Sequence, residues 1–250
     1  MLPGATDDLI GRKQGQRAVV PSTAGPLAPL ASEQIGQDLV DLLHGDMMAH
    51  SSMSSHLILA SNSPRRRDLL RLAGIPFEAI ASNVEERVGP GESPEQYVRR
   101  LALEKAENVA GRVTPGAYVL GADTEVEVDG QVLGKPESPE DAARMMTLLS
   151  GRAHRVITGI CLLGPATRLQ ETVTTLVVFT PLTDSEIAEY AHSGEPMDKA
   201  GGYAIQGLAA KFVERIEGCY FNVMGLPVAA VYRLLKESGW KASSVLRPER

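Results

Sequence analysis

From Leu57 onward, short apolar runs alternate with helices that carry their own start and stop signals, and two long β-rich runs follow one another directly. That order restricts the chain to an α/β fold built on a mixed sheet, because two adjacent long strands pair antiparallel while strand–helix–strand units pair parallel. Leu57 to Ala60 reads as a strand. Ser63 caps a helix with Pro64 at its first position, Gly74 closes it, and Leu69, Leu72 and Ala73 form its inward face. Phe77 to Ile80 is a second short strand. Ser93-Pro94-Glu95-Gln96 is a capping box opening a helix to about Ala110, with Tyr97, Leu101 and Val109 inward. Tyr118 to Ala122 is a strand ending in Asp123, and Asp129-Gly130 turns a hairpin between Glu125–Val128 and Gln131–Leu133. Ser138-Pro139-Glu140-Asp141 opens a helix with Met145, Leu148 and Leu149 inward, stopped by Gly151. His154 to Leu163 and Glu171 to Phe179 are the two long strands. Thr183 caps a short helix to about Tyr190, Lys211 to Ile216 is a last strand, and Pro227 to Lys236 a last helix.

A chain of 250 residues makes one domain or two small ones. A net charge of −6 argues against a nucleic-acid coat or a membrane-surface protein, and no run approaches the ~18 apolar residues of a membrane span. Cys161 and Cys219 lie in apolar runs without metal-ligand spacing, which fits free thiols in a reducing, cytoplasmic compartment. Met1 to Gly25 is rich in Gly, Pro, Ser and Thr and reads as disordered. Leu39, Val40, Leu42 and Leu43 make at most a short amphipathic turn, and Asp38 and Asp41 interrupt any secretory signal. The expected organisation is a dispensable extension over 1–54, a folded domain over 55–240 and a tail over 241–250. Met47, Met48 and Met53 all precede the first strand, and a chain beginning at Met53 is expected to fold.

Candidate chemistry concentrates in three places. The first is the strand–turn–helix Leu57–Arg67, where Arg65, Arg66 and Arg67 crowd a helix start that already carries partial positive charge. Free backbone N–H groups, Ser61 and arginine forks together suit a phosphate, although a solvated basic helix start is the plain alternative. The second is Asp123, with Glu125 and Glu127 on the same face if the strand runs on unbroken. Carboxylates in that pattern suit a hard divalent cation; a solvent-facing hairpin edge is the alternative, strongest for Glu127 beside the turn. Lys135 follows in Gly134-Lys135-Pro136, which is no Walker motif because the spacing is wrong and Pro136 replaces the hydroxyl residue. The third is Asp198–Gly207, glycine-punctuated, where the Gln206 amide can read a nucleobase edge unless the segment is simply a loop. His154 reads as structural rather than as a general acid.

In order and spacing, three segments resemble the Maf family of nucleoside triphosphate pyrophosphatases: Ser61-Asn62-Ser63-Pro64-Arg65-Arg66; Gly121-Ala122-Asp123-Thr124 with Gly134-Lys135-Pro136; and Asp198-Lys199-Ala200-Gly201 with Ile205-Gln206-Gly207. Leu148-Leu149-Ser150-Gly151, Thr158-Gly159 and Gly225-Leu226-Pro227 extend the match, so it covers about Leu57 to Leu235. The resemblance implies a mixed sheet flanked by helices, two lobes around a cleft, of the inosine-triphosphate pyrophosphatase type. It implies hydrolysis of a nucleoside triphosphate to monophosphate and pyrophosphate with Mg²⁺ or Mn²⁺. It assigns the triphosphate to Ser61, Arg65, Arg66, Lys105 and Lys135, the attacking water to Asp123, the metal to Glu86 and Asp123, and base selectivity to Arg65, Thr124 and Gln206. The partner is a small nucleotide, neither a nucleic-acid polymer nor a membrane, and a homodimer stays open. Ala122-Asp123-Thr124 with Gln206-Gly207 is similar to the dTTP/UTP branch. The alternatives are the 7-methyl-GTP branch, with Ser-Asp-Gln and Glu-Gly there, and a non-catalytic nucleotide-binding regulator of cell division. Glu125 departs from the family by standing where an apolar residue is expected, and Arg67 extends the usual arginine pair.

Overall fold

The computed structural model describes residues 56–242. The expected extension over 1–54, its short turn at Leu39–Leu43, the three methionines and the tail from 243 lie outside the described residues. The elements run β1 (Leu57–Leu59), α1 (Pro64–Leu72), β2 (Glu78–Ala79), α2 (Pro94–Ala110), β3 (Tyr118–Val128), β4 (Gln131–Leu133), α3 (Pro139–Leu149), β5 (Ala153–Gly164), β6 (Thr167–Phe179), α4 (Asp184–Ala191), β7 (Val213–Glu217), α5 (Tyr220–Val223) and α6 (Val228–Glu237). Three 3₁₀ turns, Glu195–Asp198, Ala200–Gly202 and Leu208–Phe212, join α4 to β7. The seven strands form one mixed sheet in the order β2-β1-β3-β5-β6-β7, with β4 on β3. β1 pairs parallel with β2 and β3, and every other pairing is antiparallel. Thus the predicted mixed α/β class is observed.

Alternation along β3 divides the core. Leu120 and Ala122 join Leu57, Leu59, Ile160 and Leu162 beneath α1 and α6. Val126 and Val128 join Val156, Val177 and Phe179 beneath α3 and α4. Val119 points the other way, with Ile58 and Cys161, into α2. One face therefore carries two separate groups of helices with a cleft between them, and α2 covers the opposite face. Helix α2 lies directly on the strands. A methyl group at Gly121 would stand 2.0 Å from the Ala102 carbonyl oxygen, and one at Gly159 would stand 2.3 Å from that of Val98.

Four local expectations differ from the fold. Leu72 is 73% exposed, and Ala73 is also exposed. The buried stripe of α1 is Arg66, Leu69 and Leu70, at the i, i+3, i+4 spacing of one helix face, because the arginine points inward. β3 does not stop at Asp123; it pairs with β5 continuously from Val119 to Glu127. Glu127 is not a solvent-facing edge residue: it is 6% exposed, accepts Arg155 Nε at 2.6 Å and also holds the Gly130 N–H of the hairpin. The last strand begins at Val213 rather than Lys211, and the short helix α5 was not anticipated.

Candidate active site

The cleft forms where the sheet has a notch. On one edge of β3, β1 pairs with Tyr118–Leu120 and β4 with Val126–Val128. Between them, Gly121–Glu125 meets no strand on that edge among the described residues. Arg66 enters the notch from the first turn of α1. Its Nη1 donates to the Ala122 carbonyl at 2.9 Å, Nη2 to Thr124 Oγ1 at 3.0 Å and Nε to the Gly225 carbonyl at 2.8 Å. A guanidinium thus satisfies a backbone acceptor that a neighbouring strand would otherwise satisfy. Burial lowers its pKa, while the opposing charges of Asp123 and Glu86 favour the cation. Ser61, 7% exposed, ties the turn together: its Oγ accepts the Ser63 N–H at 3.1 Å and Arg66 Nη1 at 3.4 Å. Ser63 caps α1 as expected. Arg67 turns back onto the Asn62 carbonyl at 2.5 Å and does not line the cleft.

Opposite the arginine stands an acidic wall on the α2 face of β3. Asp123 is 4% exposed. Its Oδ1 receives Lys105 Nζ at 2.5 Å, and its Oδ2 is buried without a donor. Lys105, anchored on α2, also reaches Glu86 Oε1 at 2.6 Å. Burial opposes ionisation of Glu86, but the Lys105 ammonium, helped by Lys135 and Arg66, holds its carboxyl below the usual range. Glu125 lies one alternation beyond Asp123, and its Oε2 is buried with no donor. Burial, then the charges of Asp123 and Glu86, push its pKa up to about 8. Tyr97 of α2 lines the same wall.

The third wall is the segment after α4. Arg65 Nη1 meets Asp198 Oδ2 at 2.7 Å and Nη2 meets the Asp198 carbonyl at 3.1 Å, bridging the two helix groups. Lys199 pairs with Asp198 from behind and donates to the Glu195 carbonyl at 2.6 Å. Lys135 is exposed on the loop after β4, whose Gly134 carbonyl accepts the Gly201 N–H at 3.0 Å. Gly201 has φ +70°, and a side chain there would strike Val126, so this approach of loop to strand requires glycine. Gln206 reaches the cleft rim.

The nine residues to which the family resemblance gives roles, Ser61, Arg65, Arg66, Glu86, Lys105, Asp123, Thr124, Lys135 and Gln206, line one cleft of about 620 Å³. That volume is in the range of small-molecule sites. The arrangement brings three kinds of group to one place: cations suited to a polyanion, a buried carboxylate with a free oxygen suited to take a proton from water, and an amide at the rim. Two other sequence candidates lie elsewhere in role. Glu127 closes a salt bridge to Arg155, and His154 is a core residue, 2% exposed, hydrogen-bonded to Tyr203 at 2.8 Å. In the sequence Tyr97 is marked only as an apolar helix position; its place one turn into a helix whose next turns carry Lys105 is the available signal. Asn222, fully buried and donating to the Val156 carbonyl at 3.0 Å, fixes the turn that offers the Gly225 carbonyl to Arg66, and nothing in its local sequence marked it.

Residues 56–238 match the family model described as Maf-like protein. The dTTP/UTP pyrophosphatase of Koribacter versatilis is 50% identical over 192 residues, covering 77% of this chain and 99% of that protein. The dTTP/UTP pyrophosphatase of a Geobacillus species is 50% identical over 184 residues, covering 74% and 98%. Among solved structures, the Staphylococcus aureus Ham1 protein aligns over 74% of this chain and 100% of its own, with 16% identity and a TM-score of 0.43.

Proposed function

The chain belongs to the Maf family, and from that premise we propose that it hydrolyses dTTP and UTP to the nucleoside monophosphate and pyrophosphate. The observation that carries the reading is the buried Asp123 carboxylate, with one oxygen fixed by Lys105 and the other unpartnered in a cation-lined cleft. A general base needs a lone pair aimed at its water and a partner that holds its orientation, and the two Asp123 oxygens divide those tasks. Water attacks the α-phosphorus, its proton passes to Asp123 Oδ2, and the bond from the α-phosphorus to the α,β-bridging oxygen breaks. Negative charge grows on the non-bridging oxygens and on the leaving pyrophosphate. Arg65, Arg66, Lys105 and Lys135 surround the space where that charge develops, and Ser61 adds a hydroxyl. No covalent nucleophile is needed. On this reading Thr124, Arg65 and Gln206, all in the cleft lining, are the residues that would select the base.

The half-exposed Glu86 carboxylate, held beside Asp123 by the shared Lys105, also fits a hard divalent cation, Mg²⁺ or Mn²⁺, which takes one or two carboxylates and completes its shell with water and substrate phosphates. Among the described residues no group of three or more His, Cys, Asp and Glu side chains could hold an ion unaided. Asp123 and Glu86 would hold it, and when bound it supplies neutralising charge to the phosphates. No helix among the described residues is long and apolar enough to cross a membrane. A free nucleotide as substrate, rather than a polymer, and a cytoplasmic site of action complete the reading.

Pyrophosphate release from dTTP, UTP, CTP, GTP and 7-methyl-GTP, with Mg²⁺ or Mn²⁺, tests it. Preferential cleavage of dTTP and UTP is expected. Asp123→Asn is expected to lower turnover by roughly 10²-fold or more with an unchanged fold. Cleavage confined to 7-methyl-GTP moves the chain to the other branch; nucleotide binding without any cleavage makes it a regulator.

A further inference from the structure

Gln206 is presented to the cleft by a tight turn, Ala204–Gly207, closed by the Gly207 N–H on the Ala204 carbonyl at 3.0 Å. Behind that turn, outside the cleft lining, stand Tyr190 and Glu195. The Tyr190 hydroxyl accepts the Ala204 N–H at 3.2 Å and donates to Glu195 Oε1 at 2.9 Å. Glu195 Oε2 accepts the Leu208 N–H at 3.0 Å, and Oε1 accepts the Ala209 N–H at 3.4 Å. The backbone is therefore held just before Gln206 and just after it by one carboxylate and one phenol. Tyr190 is 3% exposed, so it offers this bond from a nearly dry position where a lost partner is costly. The carboxylate sits so close to the turn that a Cβ at Gly207 would stand 2.2 Å from Glu195 Oε2.

We propose that Glu195, acting with Tyr190, is the positioning residue for Gln206, and that base selectivity depends on this clamp. The inference rests on the reading of Gln206 as a group that meets the base. A uracil or thymine edge presents one N–H donor between two carbonyl acceptors. An amide held at a fixed depth pairs with that edge through its own donor and acceptor. An amide on a loosened turn shifts and rotates to suit a 4-amino edge as well, so loosening removes discrimination rather than chemistry. Neither clamp residue lines the space where the phosphates are expected, so kcat is left nearly unchanged.

Three substitutions loosen the clamp by different means. Glu195→Gln keeps an acceptor for Tyr190 but turns an NH₂ towards the Leu208 N–H. Tyr190→Phe deletes the hydroxyl between Ala204 and Glu195. Gly207→Ala pushes the carboxylate aside without removing any charge. The test is the ratio of dissociation constants for non-hydrolysable α,β-methylene analogues of UTP and CTP, with the kcat and KM of UTP hydrolysis alongside. Each variant is expected to lower the uridine preference roughly ten-fold, the usual scale for loss of one charge-assisted hydrogen bond. KM for UTP should rise while kcat stays within about three-fold. Combining Glu195→Gln with Gln206→Ala should give no loss of preference beyond Gln206→Ala alone. Equal weakening of both analogues, or an additive double variant, overturns the inference and leaves Glu195 a structural residue. Turnover of dTTP and UTP by the unaltered protein decides the underlying reading separately, since a changed binding ratio stands whether or not hydrolysis is seen.

Discussion

Glu125 is the residue at which this chain departs most from its own surroundings. It is a carboxylate on a largely buried strand face, one alternation from Asp123, with an oxygen that no donor meets. Burial and its acidic neighbours raise its pKa from the ordinary 4.5 to about 8. The folded protein therefore holds a proton at this site that the unfolded chain has released over the same range. Stability from that linkage is fully present below pH 4.5 and is lost as pH rises through about 8. Glu125→Gln is expected to be the more stable protein at pH 9, by up to roughly 4–5 kcal/mol at about 1.4 kcal/mol per pKa unit, with the gap closing towards pH 5. Melting curves of the two proteins from pH 5 to pH 9 check this, and parallel curves would refute it. The alternation of Asp123, Glu125 and Glu127 was legible because a period of two is a property of the strand alone. The burial of that face was not, because it depends on how α2, the element just before β3, folds back across the sheet, which a strand's own period does not encode.

At the scale of elements, α2 against β3 and β5 sets the geometry of the acidic wall. Lys105 meets Asp123 because the helix backbone rides close to the sheet, and the closeness is possible only over Gly121 and Gly159. Both clashes are with backbone carbonyl oxygens, which cannot swing aside as a side chain can. Gly121→Ala and Gly159→Ala are therefore each expected to cost about 3 kcal/mol or more, at the upper end of overpacking. Each should also lower turnover by moving Lys105 from Asp123. Urea unfolding with matched kinetics measures both effects, and a variant that keeps full stability removes this account of the glycines. The helices themselves were well marked in the sequence: Ser63, Ser93, Ser138 and Thr183 all cap where expected, since a cap is a local hydrogen bond between neighbours in the chain. The notch in the sheet was not marked. It arises because β1 ends and β4 begins at different points along β3, and where β1 pairs is a contact between segments about sixty residues apart. For the same reason the sequence marks Arg66 as a phosphate ligand and does not show that it also closes the notch.

Over the whole molecule, the wall of the cleft that carries Gln206 is anchored in the core through Tyr203. Its ring packs edge-on against Phe179, with centroids 4.9 Å apart, and against His154 at 5.3 Å, and its hydroxyl shares a hydrogen bond with His154 Nε2. Burial lowers the His154 pKa from 6.5 to about 4, with no carboxylate among the causes. The folded protein thus keeps the imidazole neutral where the unfolded chain protonates it. The sign is opposite to that of Glu125: stability is intact above pH 6.5 and is lost as pH falls towards about 4. The full swing amounts to roughly 3 kcal/mol for a shift of this size. Tyr203 and Ala204 also line the cleft, so acid should loosen the nucleotide-facing segment before the sheet opens. Denaturant unfolding at pH 7 and pH 4 is expected to show the unaltered protein losing roughly 3 kcal/mol more than His154→Gln, which has no proton to take up. Hydrogen exchange at pH 5 should show protection falling first at 203–207. Equal losses in the two proteins would mean that the imidazole is not held neutral, and the acid sensitivity of the cleft would then have to arise in the paired carboxylates of its own walls.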